Sequence, residues 1–132
     1  MSAHNLTPVS TTAAPAPRGA YSQGIVAGGL LFTAGFGPWD AAKAEVVGTT
    51  IEEQTAQVLD NIAALLATQG LDLSDVVKAT VHLQDLRRDF AGFNAVYQER
   101  LRPPYPVRTT VGSTLPGILV EIDMVAALRT AG

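Results

Sequence analysis

The chain contains no cysteine and no run of basic residues. The lack of cysteine excludes a disulfide framework, a thiolate nucleophile and a cysteine-ligated zinc site. The net charge is −3, so the chain lacks the basic surface that nucleic-acid binding requires. No apolar stretch approaches the roughly 18 residues of a membrane span, and the N-terminus has no signal-peptide pattern. These absences predict a cytoplasmic protein with no membrane or nucleic-acid partner.

Hydrophobic residues make up 47% of the 132 residues and charged residues 16%. This composition supports a hydrophobic core and excludes a disordered chain. The first residues are rich in Ala, Pro, Thr and Ser, which is typical of a loose terminal segment. We therefore expect a flexible N-terminal segment over residues 1–14 and a single domain over residues 15–130.

The first half of the chain predicts a hairpin followed by a helix. Two short apolar runs flank Gly28 and Gly29, the residue type that a tight hairpin turn favours. Further on, Thr50 and Glu53 have the spacing of a capping box, and an apolar stripe of helical period follows them. Gly70 is placed to end this helix.

The second half predicts a strand, a second helix and a closing hairpin. Alternating apolar residues follow Asp75, then a helical spacing of aromatic and leucine residues runs until Pro103 and Pro104. Residues 105–128 form two alternating runs around a turn, which indicates a hairpin. The order ββ-α-β-α-ββ is typical of an α+β domain.

The closing hairpin carries polar side chains among apolar ones. Alternation places Arg108 and Thr110 on one face of its first strand, and Glu121 and Asp123 on the polar face of its second. We expect all four on the open face of the sheet, where cross-strand neighbours lie about 5 Å apart. An exposed ion pair there contributes about 0–1 kcal/mol. Alternatively, an oligomer covers this face, so that Arg108 binds a ligand carboxylate and a glutamate holds a water or transfers a proton. Alternation alone does not choose between these interpretations.

Six segments, in order and with matching spacing, resemble the YjgF/RidA family of reactive-intermediate (enamine/imine) deaminases. They are "APRGAYSQG" (16–24), "LLFTAG" (30–35), "QVLDNIAALLATQGLDLSDVVKATVHLQDL" (57–86), "FNAVY" (93–97), "YPVRTTV" (105–111) and "LVEIDMVA" (119–126). The resemblance covers roughly residues 14–128.

The resemblance implies a chorismate-mutase-like α+β fold, in which two helices back one face of a six-stranded mixed sheet. It also implies a homotrimer with a cleft between each pair of subunits. In that cleft Arg108 would bind the carboxylate of an imine or enamine, and Glu121 would orient the hydrolytic water. Tyr21, Gly35 and Asn94 match further family positions, and for Asn94 a structural role is an equal alternative. The implied activity is hydrolysis of 2-aminoacrylate or 2-iminobutyrate to a 2-oxo acid and ammonia, without metal or other cofactor.

Departures from the family pattern leave the substrate open. Phe36 stands where the family commonly has glutamine, and Trp39 follows it; both would place aromatic bulk at the mouth of the pocket. Thr110 replaces a frequent cysteine and keeps a hydroxyl donor. We therefore include Phe36, Trp39 and Thr110 among the expected substrate-binding residues. The alternatives are a pathway-specific enzyme or binding trimer for a bulkier imine, and a ribonuclease-like translation inhibitor, which the acidic charge balance disfavours.

Overall fold

Residues 5–129 are described by a computed structural model. They form a six-stranded sheet with the spatial order β1-β2-β3-β6-β4-β5, in which only β4 and β5 run parallel. The strands are β1 (Thr7–Val9), β2 (Gly24–Ala27), β3 (Leu30–Thr33), β4 (Val76–Leu83), β5 (Val107–Gly112) and β6 (Val120–Ala127). Two helices, α1 (Ile51–Ala67) and α2 (Leu86–Arg100), pack on each other and on the sheet. The α+β class and the six-stranded mixed sheet with two helices are confirmed.

Local sequence signals hold in the first half of the chain. Gly28 and Gly29 have φ angles of 59° and 78°, so both occupy the left-handed region that the tight β2–β3 turn requires. The α1 helix begins with the expected capping box, in which the side chains of Thr50 and Glu53 each accept a hydrogen bond from the other's backbone N–H. These two features set the turn and the start of the helix that follows.

The core lies between the sheet and the two helices. The apolar residues of β6 are almost fully buried: Val120, Ile122, Met124 and Ala126. They face α1, whose inward side is also buried along its whole length: Ile51, Val58, Leu59, Ile62, Leu65 and Leu66. Each large side chain buried here stabilises the fold by about 1.5–3 kcal/mol, so this layer fixes the orientation of β6. It consequently fixes which residues of β6 point to the open face.

The predicted closing hairpin is wrong. The β5 strand pairs only with β4, in parallel, while β6 lies between β3 and β4 and is antiparallel to both. Parallel pairing needs a long crossover, and α2 supplies it between β4 and β5. The eight-residue, apolar β6 takes a central position where both of its edges are paired, and β5 is left at the edge of the sheet.

The predicted face of Arg108 is also wrong. Its register partner in β4 is Ala79, which is fully buried and is also paired with Met124 on the helix-covered face. Directly paired residues point to the same side of a sheet, so Arg108 points toward α2, and Thr110 shares this face. Val107, expected to face the helices, is 66% exposed on the other side. Alternation predicts the wrong face of β5 because the arginine side chain packs on α2, where it donates to Asn94 and lies over the Tyr97 ring.

The structure also contains a strand that the residue pattern did not predict. β1 pairs with β2 at the far edge of the sheet, so residues 7–9 of the expected flexible segment are part of the sheet. Residues 1–4 and 130–132 lie outside the described residues, and the domain limits at 14/15 and 130 stay predictions. Between residues 5 and 129, no helix is both long and apolar enough to cross a membrane.

Candidate active site

A β-bulge positions the first group of predicted site residues. Phe32 pairs with Val125 of β6, and Phe36, beyond the end of β3, pairs with Ile122. The chain from Phe32 to Phe36 therefore contains one residue more than the stretch of β6 that it faces. The backbone N–H of Met124, opposite the bulge, donates instead to Thr33 Oγ1 at 2.9 Å. The extra residue lifts the chain at positions 34–35 out of the ladder, as bulges beside functional sites commonly do.

The bulge brings the backbone of Gly35 against the carboxylate of Glu121. A Cβ built at Gly35 would lie 2.8 Å from Glu121 Oε2, closer than a side-chain contact allows. Any larger residue here would therefore displace the carboxylate of Glu121 from its present position. The carboxylate is only partly buried, and it lies on the open face of the sheet as predicted.

Glu121 and Gly35 belong to one cavity of about 250 Å³, which we name the Glu121 pocket. It is lined by Pro15, Ala16, Arg18, Tyr21, Gly35, Phe36, Gly37, Trp39, Leu115, Pro116, Ile118 and Glu121. Five predicted site residues are thus brought together: Tyr21, Gly35, Phe36, Trp39 and Glu121. A carboxylate, a phenol and aromatic walls in one cavity suit a small polar ligand with an apolar or planar part.

Sequence reasoning missed Arg18, although it stands three residues before Tyr21 in the quoted segment. Its backbone N–H donates to Tyr21 Oη at 3.1 Å, which ties the tyrosine to its own loop. Its guanidinium carbon lies 3.8 Å from the centre of a Trp39 ring, a cation–π stack. No periodic pattern marks a loop residue of this kind, so only the three-dimensional contact reveals it.

The second group of site residues surrounds Arg108, in a cavity of about 350 Å³ that we name the Arg108 pocket. It is lined by Asn94, Tyr97, Gln98, Tyr105, Pro106 and Arg108. The Arg108 Nη1 donates to Asn94 Oδ1 at 2.9 Å, and the guanidinium carbon lies 4.8 Å from the centre of the Tyr97 ring. Within residues 5–129, no carboxylate oxygen lies within 4.0 Å of this guanidinium. Its charge is therefore oriented by neutral groups and not neutralised by any described residue.

Tyr97 has a buried hydroxyl in the wall of this pocket. Burial raises the pKa of Tyr97, and the positive charge of Arg108 opposes this shift. The phenol is therefore neutral at physiological pH. Among the described residues its hydroxyl has no hydrogen-bond partner.

The predicted site is divided in a single chain. Arg108 and Asn94 line one pocket, Glu121 lines the other, and no residue lines both. The β4 strand separates β5 from β6, and the two charged side chains point to opposite faces of the sheet. Thr110 lines neither pocket. The expectation that Arg108 and Glu121 are cross-strand neighbours is wrong.

Further titratable groups lie beside Glu121 on the open face. His82 is its register partner in β4, and His82 Nδ1 is 2.6 Å from Ser113 Oγ, which agrees with a hydrogen-bonded structural histidine. Burial raises the pKa of Asp123, while the charges of His82 and Lys78 oppose this. Within the part of the chain that the structure describes, His, Asp and Glu form no group of three that could hold a metal ion.

Comparison with known proteins gives consistent matches over nearly the whole chain. The family model described as Endoribonuclease L-PSP matches residues 11–128. A RutC family protein of Pyrococcus horikoshii is 46% identical over 120 residues, which cover 89% of this chain and 94% of that protein. The protein named Reactive Intermediate Deaminase A, chloroplastic, of Arabidopsis thaliana is 39% identical over 122 residues, 91% of this chain and 65% of its own length. The crystal structure of E. coli TdcF with bound serine has a TM-score of 0.85 and 31% identity, and the match covers 94% of this chain and 99% of that one.

Proposed function

The chain belongs to the YjgF/RidA family, the family of the Endoribonuclease L-PSP model, and from this premise we propose that it is a hydrolytic deaminase of carboxylate-bearing imines and enamines. Its products would be a 2-oxo acid and ammonia. The relative named a reactive intermediate deaminase supports this activity, and the RutC name of another relative is neutral on it.

The observation that carries the proposal is the pair of complementary half-sites. The Arg108 pocket offers an oriented guanidinium with no described carboxylate partner, which suits a ligand carboxylate. The Glu121 pocket offers a carboxylate held beside an open glycine backbone, which suits a water molecule. An enzyme that hydrolyses an imine next to a carboxylate can use both groups, one to hold the carboxylate and the other to activate the water.

Because the half-sites are apart in one chain, we propose that the active cleft lies between two subunits of a homotrimer. The Arg108 pocket of one subunit would face the Glu121 pocket of the next. Strand β5 is at the edge of the sheet, and its Val107 and the nearby Tyr105 are 66% and 47% exposed. Such a surface is suited to cover by a neighbouring subunit, and closed cyclic symmetry would repeat the cleft at each interface.

In the proposed reaction Arg108 holds the substrate carboxylate, which fixes the adjacent C=N carbon near Glu121. Glu121 accepts a proton from a water molecule as that water attacks the carbon, and it passes this proton to the imine nitrogen. The hydroxyl proton of the resulting carbinolamine then moves to the nitrogen as the C–N bond breaks and the C=O bond of the oxo acid forms, so ammonia leaves and Glu121 is again ionised. Imines already hydrolyse in water, so positioning and one acid–base group supply enough acceleration.

The test is turnover of 2-iminobutyrate by wild type and by Arg108→Ala. Imine that escapes the enzyme is trapped with semicarbazide faster than the oxo acid is, so an active deaminase lowers the initial rate of semicarbazone formation. Loss of a buried carboxylate contact costs about 2–5 kcal/mol, so we expect kcat/KM to fall by at least about 30-fold. Arg87→Ala is the matched control, because Arg87 is exposed on α2 and lines neither pocket.

Light scattering on both variants checks that assembly is intact. Wild-type turnover by a folded Arg108→Ala trimer would contradict the assigned role of Arg108. A wild type that binds 2-oxobutyrate but does not hydrolyse 2-iminobutyrate would favour the binding-trimer alternative. The expected cytoplasmic location remains part of this proposal.

A further inference from the structure

The Glu121 pocket contains a cation that the proposed hydrolysis does not use. Arg18 lines this cavity together with Glu121, and its side chain is exposed. Across residues 5–129, no carboxylate lies within 4.0 Å of its guanidinium, whereas Arg88, Arg100 and Arg129 each pair with an aspartate. An arginine at a cavity with this much donor capacity left over can bind an anionic ligand group.

Arg18 is held in place before any ligand arrives. One face of its guanidinium lies 3.8 Å from the Trp39 ring centre, and Nη2 donates to the carbonyl oxygen of Ala44 at 3.4 Å. Stacking of the planar group leaves donors at its rim available. A preorganised side chain loses less conformational freedom on binding, so its contacts contribute more to affinity.

The charges of the cavity explain what Arg18 would select. Glu121 places a negative charge in the pocket, so a second carboxylate on the substrate would meet repulsion there unless a cation lay nearby. Arg18 supplies this cation in the same cavity. A ligand with one carboxylate has no group for it, and a large apolar side chain would cover its donors without accepting a hydrogen bond from them.

We propose that Arg18, stacked on Trp39, is a specificity-determining residue that binds the distal carboxylate of the substrate. The preferred substrates are then imines of dicarboxylic amino acids, with the first carboxylate at Arg108 of the neighbouring subunit and the second at Arg18. This proposal rests on the proposed imine hydrolysis and names the substrate class of the same cleft.

The experiment compares 2-iminoglutarate with 2-iminobutyrate in wild type, Arg18→Met and Arg18→Lys. The imines are generated in the assay by an amino-acid oxidase and a threonine dehydratase and are trapped with semicarbazide. We expect wild type to prefer 2-iminoglutarate, and Arg18→Met to lower the ratio of the two kcat/KM values by about tenfold or more. Arg18→Lys keeps the charge without the planar fork and should fall between them. Arg87→Met, which removes an exposed charge outside both pockets, should leave the ratio unchanged.

Side-chain changes at Arg18 leave its backbone N–H free to hold Tyr21, and thermal melting with light scattering checks that each variant is assembled. An unchanged ratio in a folded Arg18→Met overturns the proposal, as does a wild type that prefers the imine of phenylalanine. Calorimetry with 2-oxoglutarate and 2-oxobutyrate separates this result from failure of the proposed reaction. If no imine is hydrolysed, preferential 2-oxoglutarate binding that Arg18→Met abolishes still supports the site, and equal binding of the two acids overturns it.

Discussion

Two inactive variants should restore activity when their subunits are mixed, if each cleft takes Arg108 from one chain and Glu121 from the next. The perturbations are Arg108→Ala, which empties the Arg108 pocket of its cation, and Glu121→Gln, which removes the base from the Glu121 pocket. Each homotrimer then has three identical damaged clefts. The two pockets share no lining residue, so neither change alters the other half-site directly.

The expected recovery follows from counting clefts. In a trimer assembled at random from equal amounts of both variants, a cleft has an intact Arg108 with a chance of one half. It has an intact Glu121 on the neighbouring chain with the same chance. Both conditions hold in about one quarter of the clefts, so activity per cleft should return to about one quarter of wild type.

The assay is hydrolysis of 2-iminobutyrate after the two variants are unfolded together and refolded, or are expressed together with different tags. A matched control mixes Glu121→Gln with Gly35→Ala. Both of these changes damage the Glu121 pocket of their own subunit, because a Cβ at position 35 displaces the carboxylate. No random combination rebuilds an intact half-site from them, so this mixture should stay inactive.

Recovery near zero in a mixed trimer of verified composition, from two variants that are each inactive alone, would refute the shared cleft. It would mean that Arg108 and Glu121 act within one chain, through a rearrangement of the sheet. Equal recovery in the test mixture and the control mixture would refute the division of the residues between the two half-sites.

Two further changes test the geometry of single groups. Gly35→Ala places a Cβ 2.8 Å from Glu121 Oε2, so it should abolish turnover in an assembled trimer. The control is Gly112→Ala, whose Cβ meets its nearest atom at 3.5 Å and which should stay active. A fully active Gly35→Ala would show that the position of Glu121 is unimportant for turnover. Burial raises the folded-state pKa of Asp123 above the ordinary 3.8. Ionisation of this carboxyl therefore lowers the stability of the fold as the pH rises above 3.8. Asp123→Asn should remove this loss of stability. A hydrogen bond from an arginine lowers the pKa of Asp75, so Asp75→Asn should instead remove stability that wild type holds above pH 3.8 and loses below it. Urea unfolding over a pH series measures the free energy of unfolding of wild type and of both variants. The contributions of Asp123 and Asp75 to its pH dependence should have opposite signs, and equal signs would contradict the assigned directions of the two pKa shifts.

Local sequence signals predicted the parts of the fold that depend on neighbours in the chain. The positive φ angles at Gly28 and Gly29 and the reciprocal hydrogen bonds of Thr50 and Glu53 are formed within a few residues. The face of Glu121 was also predictable, because the alternating apolar residues of β6 are all buried and force the residues between them outward.

The position of Arg108 was not predictable from alternation. The two valines of β5, Val107 and Val111, share the face opposite to Arg108, so alternation of polarity marks the open side of the sheet as the core side. The orientation of this strand depends on parallel pairing with β4, a long-range contact that α2 makes possible. Adjacency in the chain favoured a hairpin with β6 instead, because local closure has the smaller entropic cost.

The open face of the sheet explains why assembly and chemistry should be coupled in this protein. Phe32, Val107, Val111 and Val125 give this face apolar area, which favours cover by another subunit. Glu121 and Asp123 on the same face oppose a dry interface, because a buried charge without a partner is costly. Both demands are met when the apolar residues are covered while Glu121 faces a water-containing cleft. In the proposed trimer, Arg108 of the neighbouring subunit would supply the cation for the substrate's first carboxylate, so the same interface would cover the apolar area and complete the site.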